Sequence, residues 1–334
     1  MKVLLIYDKY SKVDPINPIL SNPNSNLTGS FMAAFENDSE HSCETLHICD
    51  EPDGIKSAEE LNNALLSKEF DIAVVSSIKD ITVYLETAKK LGKKLFLCVW
   101  DTPCGVTSNL YTNFRIFIKS APDIGYIKYR HSILEYSEYC NILVYDYGYG
   151  EMFPNIYCVS VPQDDRIYYP GTEEERIYDV SFVGTVYTSE RLEFINALNK
   201  SGINVNIFGG KGGIGEELSF SEYAKKFRQS KISLNFNHSG VTKQRKGRIF
   251  EIAASGSFMA TNFPETLKCH KGEWFTENSQ FVGIEVNNCA EIIKNYLDNP
   301  ASRIQAANSM YETYKKNYSA KAWWSNIFSM SNDK

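Results

Sequence analysis

Short apolar runs alternate with helical patterns along this 334-residue chain, and they do so in two separate series. In the first, strands are expected at 2–7, 44–49, 71–76, 94–100, 123–128, 141–146 and 156–160. Helices are expected between them, at 27–37, 57–68, 80–91, 110–119 and 131–138. In the second series strands are expected at 178–183, 203–208, 231–236, 257–261 and 281–285. Helices fall at 188–200, 219–229, 247–255, 289–298 and 301–317. Strands separated by helices pair in parallel, because the helix is the crossover and covers a sheet face. The run 58–66 has the i, i+3, i+4, i+7 apolar spacing of such a covering helix. The expected fold is α/β, with two facing Rossmann-like βα domains and a ligand cleft between the carboxyl ends of their strands.

The two series are divided by residues 161–177, where proline, glycine and the charge run Glu173-Glu174-Glu175-Arg176 have the composition of a linker. The division is placed at 1–165 and 166–318, and a short aromatic helix with Trp323 and Trp324 closes the chain in 319–334. Hydrophobic residues at 43% and charged residues at 23% fit globular domains and exclude a disordered chain. A net charge of −6 argues against broad, sequence-independent nucleic-acid binding, while leaving room for a local basic cleft. The eight cysteines include no Cys-x-x-Cys, and several lie in apolar runs such as Leu97-Cys98-Val99. They read as reduced thiols in a cytoplasmic protein. The first apolar run ends at Asp8 and is too short for a signal-peptide core. No stretch has the length of a membrane span. The five histidines show no metal-ligand spacing.

Four stretches carry candidate chemistry. Residues 243–248 gather Lys243, Arg245, Lys246 and Arg248 where a loop enters a helix, a setting that suits an anion such as a diphosphate. Arg248 and Glu251 are three apart and share a helix face, joining a cation for phosphate to a carboxylate for sugar hydroxyls. A solvated basic loop with an Arg–Glu surface pair fits the same spacing. In Asp179–Arg191 a strand meets a turn at Gly184, which permits close approach to the backbone, and Arg191 lies one turn into the next helix. An ordinary helix capped by Thr188 or Ser189 fits equally.

Residues 208–215 contain Gly-x-Gly-x-x-Gly after a strand, but no acidic residue closes the next strand where a dinucleotide ribose is held. That stretch reads as a surface loop. Finally, the strand Leu95–Trp100 ends in Asp101 before Thr102-Pro103. A carboxylate at that sheet edge can take a proton from a hydroxyl, and it can equally form a turn. His238 reads as a loop histidine.

The series 178–184, Arg191, 207–209 and Gly247-Arg248-Ile249-Phe250-Glu251-Ile252-Ala253-Ala254-Ser255-Gly256 resembles the GT-B glycosyltransferases, most nearly the group-1-like, spore-maturation kind. The resemblance covers 178–330 and extends to the first half only by pattern. It implies an N-terminal acceptor-side domain, a second domain that holds a nucleotide-sugar, and a last helix that crosses back onto the first domain. Glu251 matches a glutamate that binds ribose hydroxyls, and Arg248 a basic residue at the diphosphate. Retaining members often carry a glutamate eight residues before the one matched by Glu251. Lys243 stands there, which argues against retention.

A second likeness is to the T-even phage DNA β-glucosyltransferases. It matches Asp101 to a catalytic base, and Arg191 and Arg248 to diphosphate-binding arginines. Together these imply inverting transfer of a sugar from a UDP-sugar co-substrate to an acceptor hydroxyl on a glycan, small molecule or modified DNA base. Asp101 is the base. Gly184, Arg191, Lys243, Arg245, Arg248 and Glu251 form the donor site, with no obligatory metal. The alternatives are transfer to hydroxymethylated DNA bases, with a basic face at Lys119, Lys128, Arg130 and 243–248, a nucleotide-sugar epimerase, or a non-catalytic sugar-nucleotide-binding module.

Overall fold

The computed structural model describes residues 1–8, 31–35, 38–48, 57–76, 85–99, 136–144, 154–186, 189–209, 218, 220–237, 247–269 and 272–332. Strands β1 (Lys2–Asp8), β2 (Ser42–Ile48), β3 (Ile72–Ser76), β4 (Leu95–Val99), β5 (Asn141–Val144) and β6 (Ile156–Cys158) form one sheet. It is parallel throughout and ordered β2-β1-β3-β4-β5-β6. Because successive side chains of a strand point to opposite faces, β1 and β3 divide their apolar residues between two cores. Leu4, Ile6, Ala73 and Val75 meet Leu61 and Leu65 of helix α1 (Ala58–Ser67) and Ala88 of helix α2 (Leu85–Leu91). Val3, Leu5, Ile72 and Val74 face the other way, onto Phe31, Trp323, Trp324 and Ile327. Helix α1 begins where its sequence directs, with the Ser57 hydroxyl accepting the Glu60 N–H at 3.1 Å.

The second half builds its own sheet. Strands β7 (Tyr178–Val183), β8 (Val205–Phe208), β9 (Ser230–Asn235) and β10 (Phe258–Thr261) are followed by a small antiparallel pair, β11 (Lys268–Cys269) with β12 (Gly272–Glu273), and by β13 (Phe281–Gly283). The main sheet is parallel and ordered β13-β10-β9-β7-β8. Its helices are α3 (Ser189–Lys200), α4 (Phe220–Arg228), α5 (Arg248–Ala254), α6 (Cys289–Asp298) and α7 (Pro300–Asn317). α3 and α6 cover one face through Phe194, Leu198 and Ile293. α4, α5 and α7 cover the other through Phe227, Ile252 and Met310.

Helix α8 (Ala320–Asn332) then leaves the second sheet and closes the outer face of the first. Both indoles are 2% exposed. The Trp324 N–H donates to the Phe31 carbonyl at 2.8 Å and the Trp323 N–H to that of Ser160 at 3.0 Å. A buried indole needs such an acceptor, and each finds it in the first half of the chain. The expected α/β, GT-B-like arrangement with a returning last helix is therefore present.

The expected linker departs from its composition. Asp164 is fully buried and Tyr168 nearly so. The Asp164 carbonyl accepts the N–H groups of Ile167 (2.9 Å) and Tyr168 (2.8 Å) in a packed turn. Arg176, 6% exposed, donates to the carbonyls of Ser230 (2.8 Å) and Gly256 (2.6 Å). Glu173 pairs with Arg176 at 3.0 Å and with Arg303 at 2.6 Å. The charge run thus ties the connection to the second sheet. Composition cannot distinguish a solvated guanidinium from one buried against carbonyls.

Cys43, Cys98, Cys140, Cys158 and Cys289 are free thiols. Among the described residues no helix is long and apolar enough to cross a membrane. The helix expected at 110–119 and the strand at 123–128 lie outside the described residues.

Candidate functional site

The second sheet has a switch point at β7. The chain passes from β7 to β8 on one side, while β9 lies on the other. Helix α3, which follows β7, packs on one face, and α5, which follows β9, packs on the opposite one. Connections that diverge in this way leave a crevice at the carboxyl ends of the strands. The turn at Gly184 and the start of α5 border it.

Gly184 has φ of +142° and donates its N–H to the Phe208 carbonyl at 2.7 Å. A Cβ here would collide with Nη2 of Arg248. The close approach expected at this glycine is therefore made by the chain's own guanidinium. Gly184→Ala is expected to destabilise the fold by about 1–3 kcal/mol, from backbone strain and displacement of Arg248. Thermal melting checks this, and an unchanged midpoint would mean that Arg248 moves aside at no cost.

The Arg248 guanidinium lies 4.7 Å from the centroid of the Phe182 ring, and its charge acts on the Tyr223 phenol. Its Nε and Nη1 are buried and have no hydrogen-bond partner among the described residues. Buried charged donors without acceptors are costly, and an anion seated there would relieve that cost. One turn along α5, Glu251 is 9% exposed. Its Oε1 accepts the Tyr168 hydroxyl at 3.3 Å and its Oε2 the Tyr223 hydroxyl at 3.4 Å. Burial, and next the Glu251 charge, push the Tyr223 phenol well above its ordinary range, against the opposing pull of Arg248. The phenol therefore keeps its proton at neutral pH. A Cβ placed on Gly247, just before α5, would stand 3.7 Å from Val161. Val161 packs against cores of both halves, so the site adjoins their junction.

The structure brings together Gly184, Arg248 and Glu251. Arg191 is nearby but differently employed. It is 4% exposed, and its guanidinium donates to the carbonyls of Thr185 (2.7 Å) and Phe236 (3.5 Å). It ties the turn after β7 to the end of β9. Asp101, Lys243, Arg245, His238 and the glycine-rich loop from Gly210 to residue 217 lie outside the described residues. Tyr168 and Tyr223 were missed by sequence reasoning. Tyr168 sits in the stretch read as a linker, and Tyr223 is one aromatic of an amphipathic helix with no motif around it.

A family model described as glycosyl transferase-like matches residues 191–329. No curated protein matches the sequence. Among solved structures, Anabaena HepE, determined in complex with UDP and glucose, superposes with a TM-score of 0.57 at 9% identity, covering 99% of each chain. A glycosyltransferase from Rickettsia africae ESF-5 gives 0.54 at 10% identity, over 100% of this chain and 99% of its own. S. aureus TarM gives 0.55 at 10% identity over 78% of this chain, which spans only 55% of TarM. At such identities the likeness establishes the fold. The chain has the GT-B fold of glycosyltransferases.

Proposed function

We propose that this protein transfers a sugar from a nucleotide-diphosphate sugar, UDP-linked, to an acceptor hydroxyl. One observation carries the reading: Nε and Nη1 of Arg248, buried and without a hydrogen-bond partner among the described residues, stand one helical turn from the Glu251 carboxylate. A nucleoside diphosphate has the matching pair of groups, an anionic diphosphate for the guanidinium and ribose hydroxyls for the carboxylate. The glycosyl transferase-like match and the UDP complex of Anabaena HepE support the same ligand class.

In this mechanism Arg248, together with Lys243 or Arg245, lowers the energy of the negative charge that grows on the departing diphosphate. Side-chain cations do this without an obligatory metal. Arg191 contributes by fixing the turn at Gly184. Asp101, in the acceptor-side domain (1–165), takes the acceptor's proton, and the anomeric centre inverts. Closure of the two domains excludes water and limits donor hydrolysis.

Calorimetry with UDP tests the donor site. Arg248→Ala is expected to weaken binding by about 1.5–3 kcal/mol, the scale of a charge-assisted hydrogen bond. Glu251→Gln should also weaken binding, through the nucleoside. Unchanged UDP affinity in both variants would place the nucleotide elsewhere.

A further inference from the structure

Glu251 is held from two directions, by elements far apart in sequence. Tyr168 comes from the connection between the two sheets and Tyr223 from α4. Each phenol takes a different carboxylate oxygen, at 3.3 and 3.4 Å. Two donors on two oxygens set both the plane and the tilt of the carboxylate.

The one proton of the Tyr223 hydroxyl faces Glu251 Oε2 at 3.4 Å and the Val183 carbonyl at 3.5 Å. The Tyr223 ring is itself fixed, edge-on to Phe227 at 5.4 Å, and its Cδ2 lies 3.5 Å from where a Cβ on Gly209 would stand. Tyr168 is packed within the same apolar core as Phe227 and Ile252. Neither ring needs its hydroxyl for packing, yet both hydroxyls converge on one carboxylate.

We infer that Tyr168 and Tyr223 are positioning residues that fix the Glu251 carboxylate for ribose hydroxyls. The inference rests on the donor-site reading above. Its consequence is selectivity. A carboxylate locked in one orientation rewards a ligand whose hydroxyls meet it and leaves an analogue lacking one unrewarded. Released by loss of a phenol, the carboxylate rotates and the advantage shrinks. Fold stability alone does not produce this effect, because it would weaken both ligands alike.

The test compares calorimetric affinity for UDP with that for 2′-deoxy-UDP and 3′-deoxy-UDP in the wild type, Glu251→Gln, Tyr168→Phe and Tyr223→Phe. Phenylalanine keeps the ring packing, and thermal melting of each variant reports its fold. The wild type should prefer UDP over at least one deoxy analogue by about tenfold, the scale of one charge-assisted hydrogen bond. Glu251→Gln should abolish that preference. Each tyrosine variant should reduce it severalfold, through weaker UDP binding with deoxy-analogue binding nearly unchanged. Tyr223→Phe combined with Glu251→Gln should add little further loss of preference.

If Glu251→Gln removes the preference while both tyrosine variants keep it, the positioning role is wrong and the donor site stands. If the wild type binds no UDP, or Glu251→Gln changes nothing, the donor site itself is wrong.

Discussion

Asp101→Asn is expected to lower turnover by about 10²–10⁴-fold, the contribution of proton transfer by a positioned general base. Asparagine keeps the size and the turn-forming capacity of aspartate but cannot accept a proton. The loss should appear in kcat with UDP affinity unchanged, since the interaction develops only on the way to the transition state. Steady-state rates with a purified acceptor, together with product NMR, check this. Near-wild-type turnover, or a product of retained anomeric configuration, would reduce Asp101 to a turn residue.

Trp324→Ala is expected to have the largest effect on stability, about 3–5 kcal/mol, the range for truncating a fully buried large aromatic. The ring is 2% exposed and meets Phe35 at 4.9 Å, Trp323 at 5.0 Å and Phe328 at 5.7 Å. Its loss also leaves the Phe31 carbonyl without its indole donor. Because α8 covers the first sheet while α7 belongs to the second, the effect reaches beyond one helix. Denaturant unfolding should detect a lower midpoint and, where the halves separate, a broader transition. A loss below about 1 kcal/mol would mean that the helix contributes little to covering the first sheet.

Much of this architecture is legible in the sequence because strand and helix periods are local. β1, β7 and α6 lie within one residue of their expected bounds. α7 begins one residue early, at Pro300, where a missing N–H is harmless. The Arg248–Glu251 pair is legible for the same reason, since a spacing of three fixes two residues on one helix face. What escaped is what depends on distant partners. The pair β11–β12 joins only two residues on each side, too few for a period. β13 ends at Gly283 rather than 285, although Ile284 still donates to Thr261 at 2.9 Å. Tyr168 reaches Glu251 across 83 positions, and Arg191 reaches Phe236 across 45. No local pattern reports whether an arginine meets a ligand or a backbone carbonyl.

The central claim is that the crevice at Gly184, Arg248 and Glu251 holds the nucleoside diphosphate of a sugar donor. A crystal structure of the protein with bound UDP tests it most directly. The diphosphate oxygens should lie about 2.7–2.9 Å from Nε or Nη1 of Arg248, the distance of a charge-assisted hydrogen bond. The ribose hydroxyls should lie against the Glu251 carboxylate. UDP bound away from Arg248 and Glu251 would rule this site out.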